Sequence, residues 1–389
     1  MRIVYVARHQ SVHTRRWVSF FAARGHEVHV VTPGGGDACD TDEQGMPIAR
    51  TYRVHDLGEP RLGKLGYLFK LRRARRIIRA LEPDVVHAHY ATSCGLLALA
   101  AGVRPLVTTA HGDDLLISPR NPVMRWLVQR VLRASALITV PSEQMRDAAL
   151  GLLGDDHPVH VEVFQYGVEV ARLTRVAEQV RQSDLVPRDQ RPLRIVSTRA
   201  MLGLYRLDAL IDALAVLAHR DIEFHCDFLG DGPDRAALEA QAREHHIDGY
   251  VTFHGQQPAS RMEHLVAVAD LYVSVSESDG VSLSLLEALV LGAIPVLSDI
   301  PANRGWVNNG QTGVLVAIGA DDIADGMLRA FLLNPDVAAR DNRSVVAEHA
   351  DRDTNLAACE LMIDEIAGVS WNPEPIQAGD GSGHEADAA

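Results

Sequence analysis

Short apolar runs alternate along the chain with longer segments in which apolar residues recur every three or four positions. The runs are typical of buried strands and the longer segments of amphipathic helices. In the first half of the chain the runs predict strands at 2–7, 27–32, 85–88, 105–109 and 136–140. The segments between them predict helices at 14–24, 64–81, 93–101, 121–134 and 142–153. Because strands and helices alternate, we expect a mostly parallel sheet covered on both faces.

A polar segment interrupts this alternation, and we interpret 176–192 as a linker. It separates a first domain, 1–175, from a second domain, 193–350, in which the alternation resumes. A helix within 351–371 is expected to pack back on the first domain, and the Gly-, Pro- and Asp-rich tail at 372–389 is predicted to be disordered. The fold class is therefore α/β, with two doubly wound domains facing each other across a cleft. Ligands of such sheets bind at the carboxyl ends of the strands.

The composition of the 389 residues, 47% hydrophobic and 23% charged, is that of an ordinary globular protein. The chain has no uncharged apolar stretch of eighteen residues, so we expect no transmembrane helix. The N-terminus has no signal-peptide pattern, which favours a cytoplasmic location. The net charge of −13 argues against a general nucleic-acid binder. Four scattered cysteines without metal-binding spacing favour reduced thiols.

The segment at 271–297 is the richest in candidate chemistry: an apolar strand, a polar turn and an apolar helix that contains Glu287. A carboxylate among leucines is costly to bury without a partner, so Glu287 is expected to face a hydrogen-bond donor. Helix N-termini attract phosphate, which predicts an anion site at 282–284. Asp279 in the turn and Glu287 in the helix flank that site. The combination suits a nucleotide sugar, with amides for its phosphates and carboxylates for its hydroxyls.

Several passages in a characteristic order make the chain, up to about residue 370, resemble the retaining glycosyltransferases of the GT-B fold, family 4 (glycosyltransferase group 1). They include DVVHAHY at 84–90, TTAHGDDLL at 108–116, STRAM at 197–201 and SESDGVSLSLLEALVLGAIPV at 276–296. The resemblance implies two Rossmann-like domains and transfer of a hexosyl-type group to a small-molecule, lipid or saccharide acceptor. The donor it implies is a UDP-, GDP-, ADP- or TDP-sugar, with no metal and no other cofactor.

The hallmark of that family is a pair of acidic residues separated by seven others. Counting back from Glu287 places the first at Asp279, where the family usually has glutamate. By resemblance, Asp279 contacts the hydroxyls of the donor sugar, and Glu287 contacts the nucleotide ribose. The same resemblance assigns a further set of residues to the donor, and these are Gly230, Gly280, Val281, Ser282, Leu283 and Ser284.

The family also holds the diphosphate of its donor with an arginine and, a little further on, a lysine. Arg199 occupies the position of the arginine, at the end of a strand-like run. Tyr205 stands where the lysine is expected, and Arg206 follows it. Because the charge of the leaving group must be neutralised, Arg206 is the natural substitute; the alternative is a solvated surface arginine.

His111 follows an apolar strand, where the family uses a histidine near the reacting centre. The resemblance therefore assigns catalytic roles to His111, Asp279 and Arg199, although a lone histidine is also common as a structural residue. His87 and His89 share one face of a strand, which could suggest a metal pair. No third ligand is evident, so packing or hydrogen bonding is the preferred interpretation, and no metal site is predicted.

The loop after the first strand lies where the family closes on the acceptor and the diphosphate. His13 and Thr14 are candidate contacts to the acceptor or to phosphate. Arg16 and Trp17 are interpreted as helix surface and packing. A basic helix at 64–79 suggests weak peripheral contact with anionic lipid. The alternative for that helix is a solvated basic face on an acidic protein.

Other classes of protein remain open at this point. A nucleotide-sugar epimerase on the same fold, or a non-catalytic protein that binds nucleotide sugars, would carry similar residues. A sugar phosphorylase would need a pyridoxal-binding lysine in the second domain, and residues 193–370 contain no lysine. The sequence leaves the sugar, the base, the acceptor and the oligomeric state open.

Overall fold

The computed structural model describes residues 1–34, 51–58, 66–154, 157–183, 186–280 and 282–368, without the side chains of 12 and 66–69. Over these residues the chain forms two parallel sheets, each with helices packed against it. The predicted α/β class with two doubly wound domains is confirmed. The predicted tail at 372–389 lies outside the described residues.

The first domain is built on a sheet of seven described strands in the order β3-β2-β1-β4-β5-β6-β7. Every neighbouring pair is parallel. The strands β1 to β7 are Arg2–Val6, Glu27–Thr32, Arg53–Asp56, Val85–His89, Leu106–Thr109, Leu137–Val140 and His160–Val163. The helices α1 to α6 are Val12–Ala23, Gly66–Ala80, Ser93–Ala101, Asp113–Leu116, Pro122–Ala134 and Glu143–Leu153.

The second domain has six described strands in the order β10-β9-β8-β11-β12-β13, again parallel. The strands β8 to β13 are Leu193–Ser197, Phe224–Leu229, Val251–Gly255, Leu271–Ser274, Ile294–Ser298 and Val314–Val316. The helices α7 to α15 are Val170–Ser183, Leu207–His219, Arg235–Glu244, Ala259–Val268, Leu283–Leu291, Pro301–Arg304, Ala320–Phe331, Pro335–Ala350 and Arg352–Ala367.

The linker predicted at 176–192 needs correction, because its first part belongs to α7. Leu173, Ala177 and Val180 recur at helical spacing and are buried. They pack in one core cluster with residues of α10, α11 and α14, which assigns α7 to the second domain. The polar positions of the segment form the opposite, solvated face of this helix, and an amphipathic surface helix has this pattern.

The chain crosses between the domains twice, and the two crossings lie against each other. The Val168 N–H donates to the Ala350 carbonyl at 2.9 Å, and the Arg352 N–H donates to the Val168 carbonyl at 3.0 Å. Gly167 has a φ of +64°, and a Cβ there would collide with the Ala350 backbone. Glycine is therefore required for this close approach, at the point where the domains are joined.

The final helix, α15, returns to the first domain. Leu356, Cys359 and Ile363 are buried in the core cluster that includes residues of β1, β2 and α1. Glu360 accepts a hydrogen bond from Arg24, the residue that follows α1, at 2.6 Å. This helix therefore spans the junction and ends on the opposite domain from the helix that precedes it.

The basic helix predicted at 64–79 is α2, whose described part begins at Gly66. Ala74 and Ile78 are fully buried and anchor the helix on the sheet. The exposed positions of α2 include five arginines, Arg72, Arg73, Arg75, Arg76 and Arg79. Among the described helices, none is long and apolar enough to cross a membrane.

Candidate functional site

The candidate site lies where the carboxyl ends of the central strands of both sheets meet. In the second sheet the strand order reverses between β8 and β11, which is the point where such sheets bind ligands. Arg199 follows β8, and Asp279 lies in the turn between β11 and α11. In the first sheet His111 follows β5, beside the central strand β4.

Arg199 is the centre of a short polar network in the second domain. Its Nη2 donates to Asp279 Oδ2 at 2.7 Å, and its Nη1 donates to Ser282 Oγ at 2.6 Å. The guanidinium lies 4.0 Å from the ring centroid of Tyr205, so the residue at the position of the missing lysine stacks on the arginine. Arg199 is only 7% exposed, and a guanidinium held on three sides is pre-organised.

The N-terminus of α11 completes this part of the site. Ser282 is the N-cap residue, and its side chain accepts a hydrogen bond from the Leu285 N–H. Leu283 and Ser284 follow in the first turn, where backbone N–H groups have no partner within the helix. Gly280 lies just before the helix, and its N–H donates to Asp279 at 2.9 Å. Val281 lies outside the described residues.

Glu287 lies on the second turn of α11, and its side chain is 13% exposed. Burial raises the pKa of Glu287 to about 7, and the charge of Arg16 opposes that rise. Arg16 Nη2 is 3.8 Å from Glu287 Oε1. Since Arg16 belongs to α1, this pair joins the two domains directly at the site. The interpretation of Arg16 as helix surface is therefore incomplete.

Arg206 is held by acidic neighbours of its own. Its side chain donates to Asp208 at 3.1 Å and to Glu277 at 3.0 Å, and it is 31% exposed. Its φ of +50° places it in the left-handed region, just before α8. One guanidinium shared by two carboxylates carries no surplus positive charge for a phosphate.

Gly230 lies at the end of β9 and is needed for the placement of Arg199. Its φ is +152°, and a Cβ at this position would collide with the Arg199 carbonyl. Its N–H donates to the Gly255 carbonyl at 3.0 Å. The glycine therefore allows the loop after β9 to lie directly on the backbone that carries Arg199.

In the first domain, the imidazole of His111 lies nearly parallel to two phenol rings. The ring centroid of Tyr90 is 4.1 Å away at an interplanar angle of 16°, and that of Tyr166 is 5.3 Å away at 23°. Tyr90 has a φ of +76°, which is unfavourable for a bulky residue. Such backbone strain clusters at functional sites.

The hydrogen bonds of Tyr166 favour one tautomer of His111. The Tyr166 hydroxyl lies 3.3 Å from the Ala110 carbonyl and 3.0 Å from His111 Nδ1. Because a carbonyl can only accept, the phenol satisfies both groups by donating to Ala110 and accepting from Nδ1–H. Burial holds the pKa of His111 well below its usual 6.5, so the ring is neutral. Nε2 then presents a lone pair, and it has no partner among the described residues.

The two residues predicted to contact the acceptor lie in different environments. The His13 ring is 5.1 Å from that of Tyr166 and 6.2 Å from that of His111, which places it in the same aromatic cluster. Burial lowers the pKa of His13. Thr14 is only 1% exposed at the start of α1, and its contact with the acceptor or phosphate stays a prediction.

His87 and His89 are fully buried on β4. His87 Nε2 lies 2.7 Å from Thr109 Oγ1, and burial lowers the pKa of His87 to about 3. Within the described ranges, no group of three or more His, Cys, Asp or Glu side chains is arranged to hold a metal ion.

A cavity of about 910 Å³ opens beside Asp279, between the two domains. Its wall combines carboxylates, amides and aromatic side chains from both sides, including Glu162, Gln165, Asn355, Phe164 and Trp306. No sequence motif indicated it, because its lining comes from loops that are far apart along the chain.

Comparison with known proteins gives two family matches that divide the chain as the sheets do. The family described as Glycosyltransferase Family 4 matches residues 10–172, and that described as Glycosyl transferases group 1 matches residues 183–345. The N-acetyl-alpha-D-glucosaminyl L-malate synthase of Bacillus anthracis is 23% identical over 77% of this chain and 77% of its own length. The phosphatidyl-myo-inositol mannosyltransferase of Mycolicibacterium smegmatis is 28% identical over 79% of this chain and 76% of its own.

Solved structures show the same architecture at low identity. A sucrose-phosphate synthase of Thermosynechococcus elongatus superposes with a TM-score of 0.74 at 14% identity, covering 95% of this chain and 100% of its own. Anabaena Alr3699/HepE in complex with UDP superposes with a TM-score of 0.69 at 16% identity, covering 94% and 100%. These neighbours identify the two-sheet arrangement as the GT-B fold.

Proposed function

Because the chain belongs to the group 1, family 4 glycosyltransferases, we propose that it transfers a hexosyl-type group from a nucleoside-diphosphate sugar to a hydroxyl acceptor, with retention of configuration. One observation carries the proposal: Arg199 links Asp279 to the N-cap Ser282 of α11, with Glu287 on the next turn of that helix. The arginine and the helix N-terminus suit the phosphates of such a donor. The two carboxylates suit the hydroxyls of its sugar and of its ribose.

We assign each part of the donor to the side chains or backbone amides of the site that suit it chemically. The diphosphate binds to Arg199 and to the first-turn amides at 282–284, where the backbone N–H groups and the helix dipole favour an anion. The ribose contacts Glu287, the sugar hydroxyls contact Asp279, and the base lies near Gly230. Gly280 lies against the sugar. Anabaena Alr3699/HepE was solved in complex with UDP and with UDP-glucose, which supports a nucleoside-diphosphate donor and makes UDP the first probe.

In the proposed reaction, the bond between the anomeric carbon and the diphosphate oxygen breaks as the acceptor oxygen attacks from the same face. The acceptor proton passes to the leaving phosphate oxygen. Negative charge grows on the diphosphate in the transition state, and Arg199 and the α11 amides stabilise it electrostatically. Asp279 is paired with Arg199 at 2.7 Å, which makes it a poor nucleophile and favours transfer without a covalent sugar–enzyme intermediate.

The first domain contributes His111 and the start of α1. With Nδ1 engaged by Tyr166, His111 Nε2 accepts a hydrogen bond from a hydroxyl of the donor sugar. His13 lies beside it in the same aromatic cluster and faces the acceptor. Because the neutral ring holds no ionisable proton near pH 7, we assign His111 to binding and orientation of the reacting sugar.

The test begins with thermal unfolding in the presence of UDP, GDP, ADP and TDP. One of them is expected to raise the Tm, since a ligand that binds only the native state stabilises it by mass action. The corresponding sugar nucleotides are then incubated with acceptors, and the anomeric configuration of the product is read by NMR. A product with inverted configuration would contradict the retaining mechanism. Turnover without an acceptor-linked product would support an epimerase, and binding without turnover a non-catalytic role.

We also propose that the exposed arginines of α2 contact anionic membrane surfaces. Replacing four of them by glutamine is expected to lower the affinity for phosphatidylglycerol vesicles, measured by co-sedimentation, by up to about 10³-fold, because each basic residue near such a surface contributes about 1 kcal/mol and about 1.4 kcal/mol is a factor of ten. The replaced residues are Arg72, Arg73, Arg75 and Arg76. The matched control replaces four exposed arginines of the second domain, Arg243, Arg261, Arg329 and Arg340. Equal binding of both variants would eliminate α2 as the contact.

A further inference from the structure

The phosphate site of the second domain is short of positive charge. Arg199 is paired with Asp279, and Arg206 is shared by Asp208 and Glu277, so two guanidinium groups face three carboxylates. The N-terminus of α11 adds the equivalent of only about half a positive charge. Residues 193–370 contain no lysine that could make up the difference. A diphosphate that binds here therefore needs a further cation.

Arg16 of the first domain lies in the right place to supply it. It lines a small cavity together with His13 from α1 and Leu283 from the first turn of α11. His13 and Arg16 are three residues apart on a helix, so they present one face towards that turn. Arg16 Nη2 lies 3.8 Å from Glu287 Oε1, and its side chain is 37% exposed. At this distance the ion pair between Arg16 and Glu287 is a loose one. A guanidinium has five N–H donors, so Arg16 can contact the carboxylate and a phosphate oxygen at the same time.

The other arginine of this cavity is already committed. Arg352 donates to Glu169 at 2.8 Å and to Asp353 at 2.8 Å, at the junction between the domains. Its role is therefore to hold the two crossings together. Arg16 differs because its contact is with Glu287, the residue assigned to the donor ribose, and the ribose is covalently joined to the diphosphate.

We propose that Arg16 is the second cation for the diphosphate of the donor, in place of the lysine whose position Tyr205 occupies. This inference rests on the proposed function. The phosphate site is then divided between the domains: Arg199 and the α11 amides on one side, Arg16 on the other. The charge of the leaving group is fully neutralised only while α1 is in contact with α11. Closure of the domains and activation of the donor are thereby coupled.

A competing role for Arg16 is to pair with Glu287 and do nothing else. The two roles are separated by measuring the binding of UDP and of uridine, which share base and ribose but differ in the diphosphate. If another diphosphate gives the larger thermal shift, that diphosphate and its nucleoside are used instead. Arg16→Gln is expected to weaken diphosphate binding about 10- to 100-fold, the range for a charge-assisted hydrogen bond, and to leave nucleoside binding unchanged.

The same measurement in the Glu287→Gln background decides between the roles. If Arg16 contacts the diphosphate, Arg16→Gln causes the same loss there; if it only pairs with Glu287, the loss disappears, and the inference is overturned. Arg16→Lys, which keeps the charge, is expected to retain part of the affinity. Arg125→Gln, at an exposed position of α5, is the control and should leave binding unchanged. Absence of diphosphate binding by the wild-type protein would instead refute the proposed function itself.

Discussion

Replacing Arg199 by alanine is expected to lower kcat by about 10²- to 10³-fold, the usual effect of removing one pre-organised donor from a developing anion. Arg199 is the buried cation that connects Asp279 with the N-cap of α11. Its loss removes charge from the diphosphate site and leaves Asp279 unpaired beside the donor. The measurement is kcat and KM for the sugar nucleotide identified by thermal shift.

Two variants control this experiment. Arg199→Lys keeps the charge but cannot hold Asp279 and Ser282 at once, so it should recover only part of the rate. Arg243→Ala removes an exposed arginine of α9 and should leave kcat unchanged. Thermal unfolding without ligand identifies any variant that is simply misfolded. A folded Arg199→Ala variant with nearly wild-type turnover would refute the assignment of the phosphate site.

The second prediction concerns stability: Glu287→Gln is expected to make the protein more stable at pH 8 while it weakens donor binding. Burial raises the pKa of Glu287 to about 7 in the folded protein, from the ordinary 4.5. Both states are protonated below pH 4.5, so Glu287 costs nothing there. As the pH rises towards 7 the unfolded state ionises first, and folding stability is lost progressively until the loss is complete above pH 7.

The shift of 7 − 4.5 pKa units corresponds to a free-energy difference of about 3 kcal/mol, as an upper value for the gain from the glutamine variant above pH 7. The free energy of unfolding, measured in urea at pH 4.5 and pH 8, is the test. The difference between variant and wild type should be close to zero at the lower pH and positive at the higher. Glu244→Gln, at an exposed position of α9, should show no such dependence on pH. A difference in stability between variant and wild type that is the same at both pH values would mean that Glu287 is ionised at little cost.

A carboxylate that destabilises the apo protein is typical of a residue retained for function. Glu287 costs stability because burial disfavours its charged form, and the nearby carboxylates of Glu263 and Glu169 disfavour it further. Donor binding would offset that cost, because the ribose hydroxyls would donate hydrogen bonds to the carboxylate. The same residue therefore links a stability measurement to a binding measurement, and the two must change in opposite directions.

The central strands could be predicted from the sequence because both of their faces are buried. Runs such as those of β1, β5 and β6 contain almost only apolar residues or threonine, and a parallel sheet covered on both sides requires this. The edge strands β3 and β7 were missed, because RVHD and HVEV are partly exposed and carry polar residues. The first part of the predicted linker, which belongs to α7, was missed for a similar reason: its solvated face dilutes the apolar pattern.

The sequence by itself determined the parts of the site that lie within one strand–turn–helix unit. Asp279, Ser282 and Glu287 are close in the chain, so the local geometry of a turn and a helix N-terminus brings them to one place. Arg199 could be added because it ends the neighbouring central strand, and parallel strands end at the same edge of the sheet.

Only the tertiary structure decided which groups meet these residues from elsewhere. Arg16 and Glu287 are 271 positions apart, and Tyr166 and His111 are 55 apart. Such contacts depend on how two domains and several loops pack, which no local periodicity records. The same packing showed that Arg206 is held by two carboxylates and that Tyr205 stacks on Arg199. The missing lysine was visible in the sequence; its proposed replacement became visible only when the first domain was placed against the second.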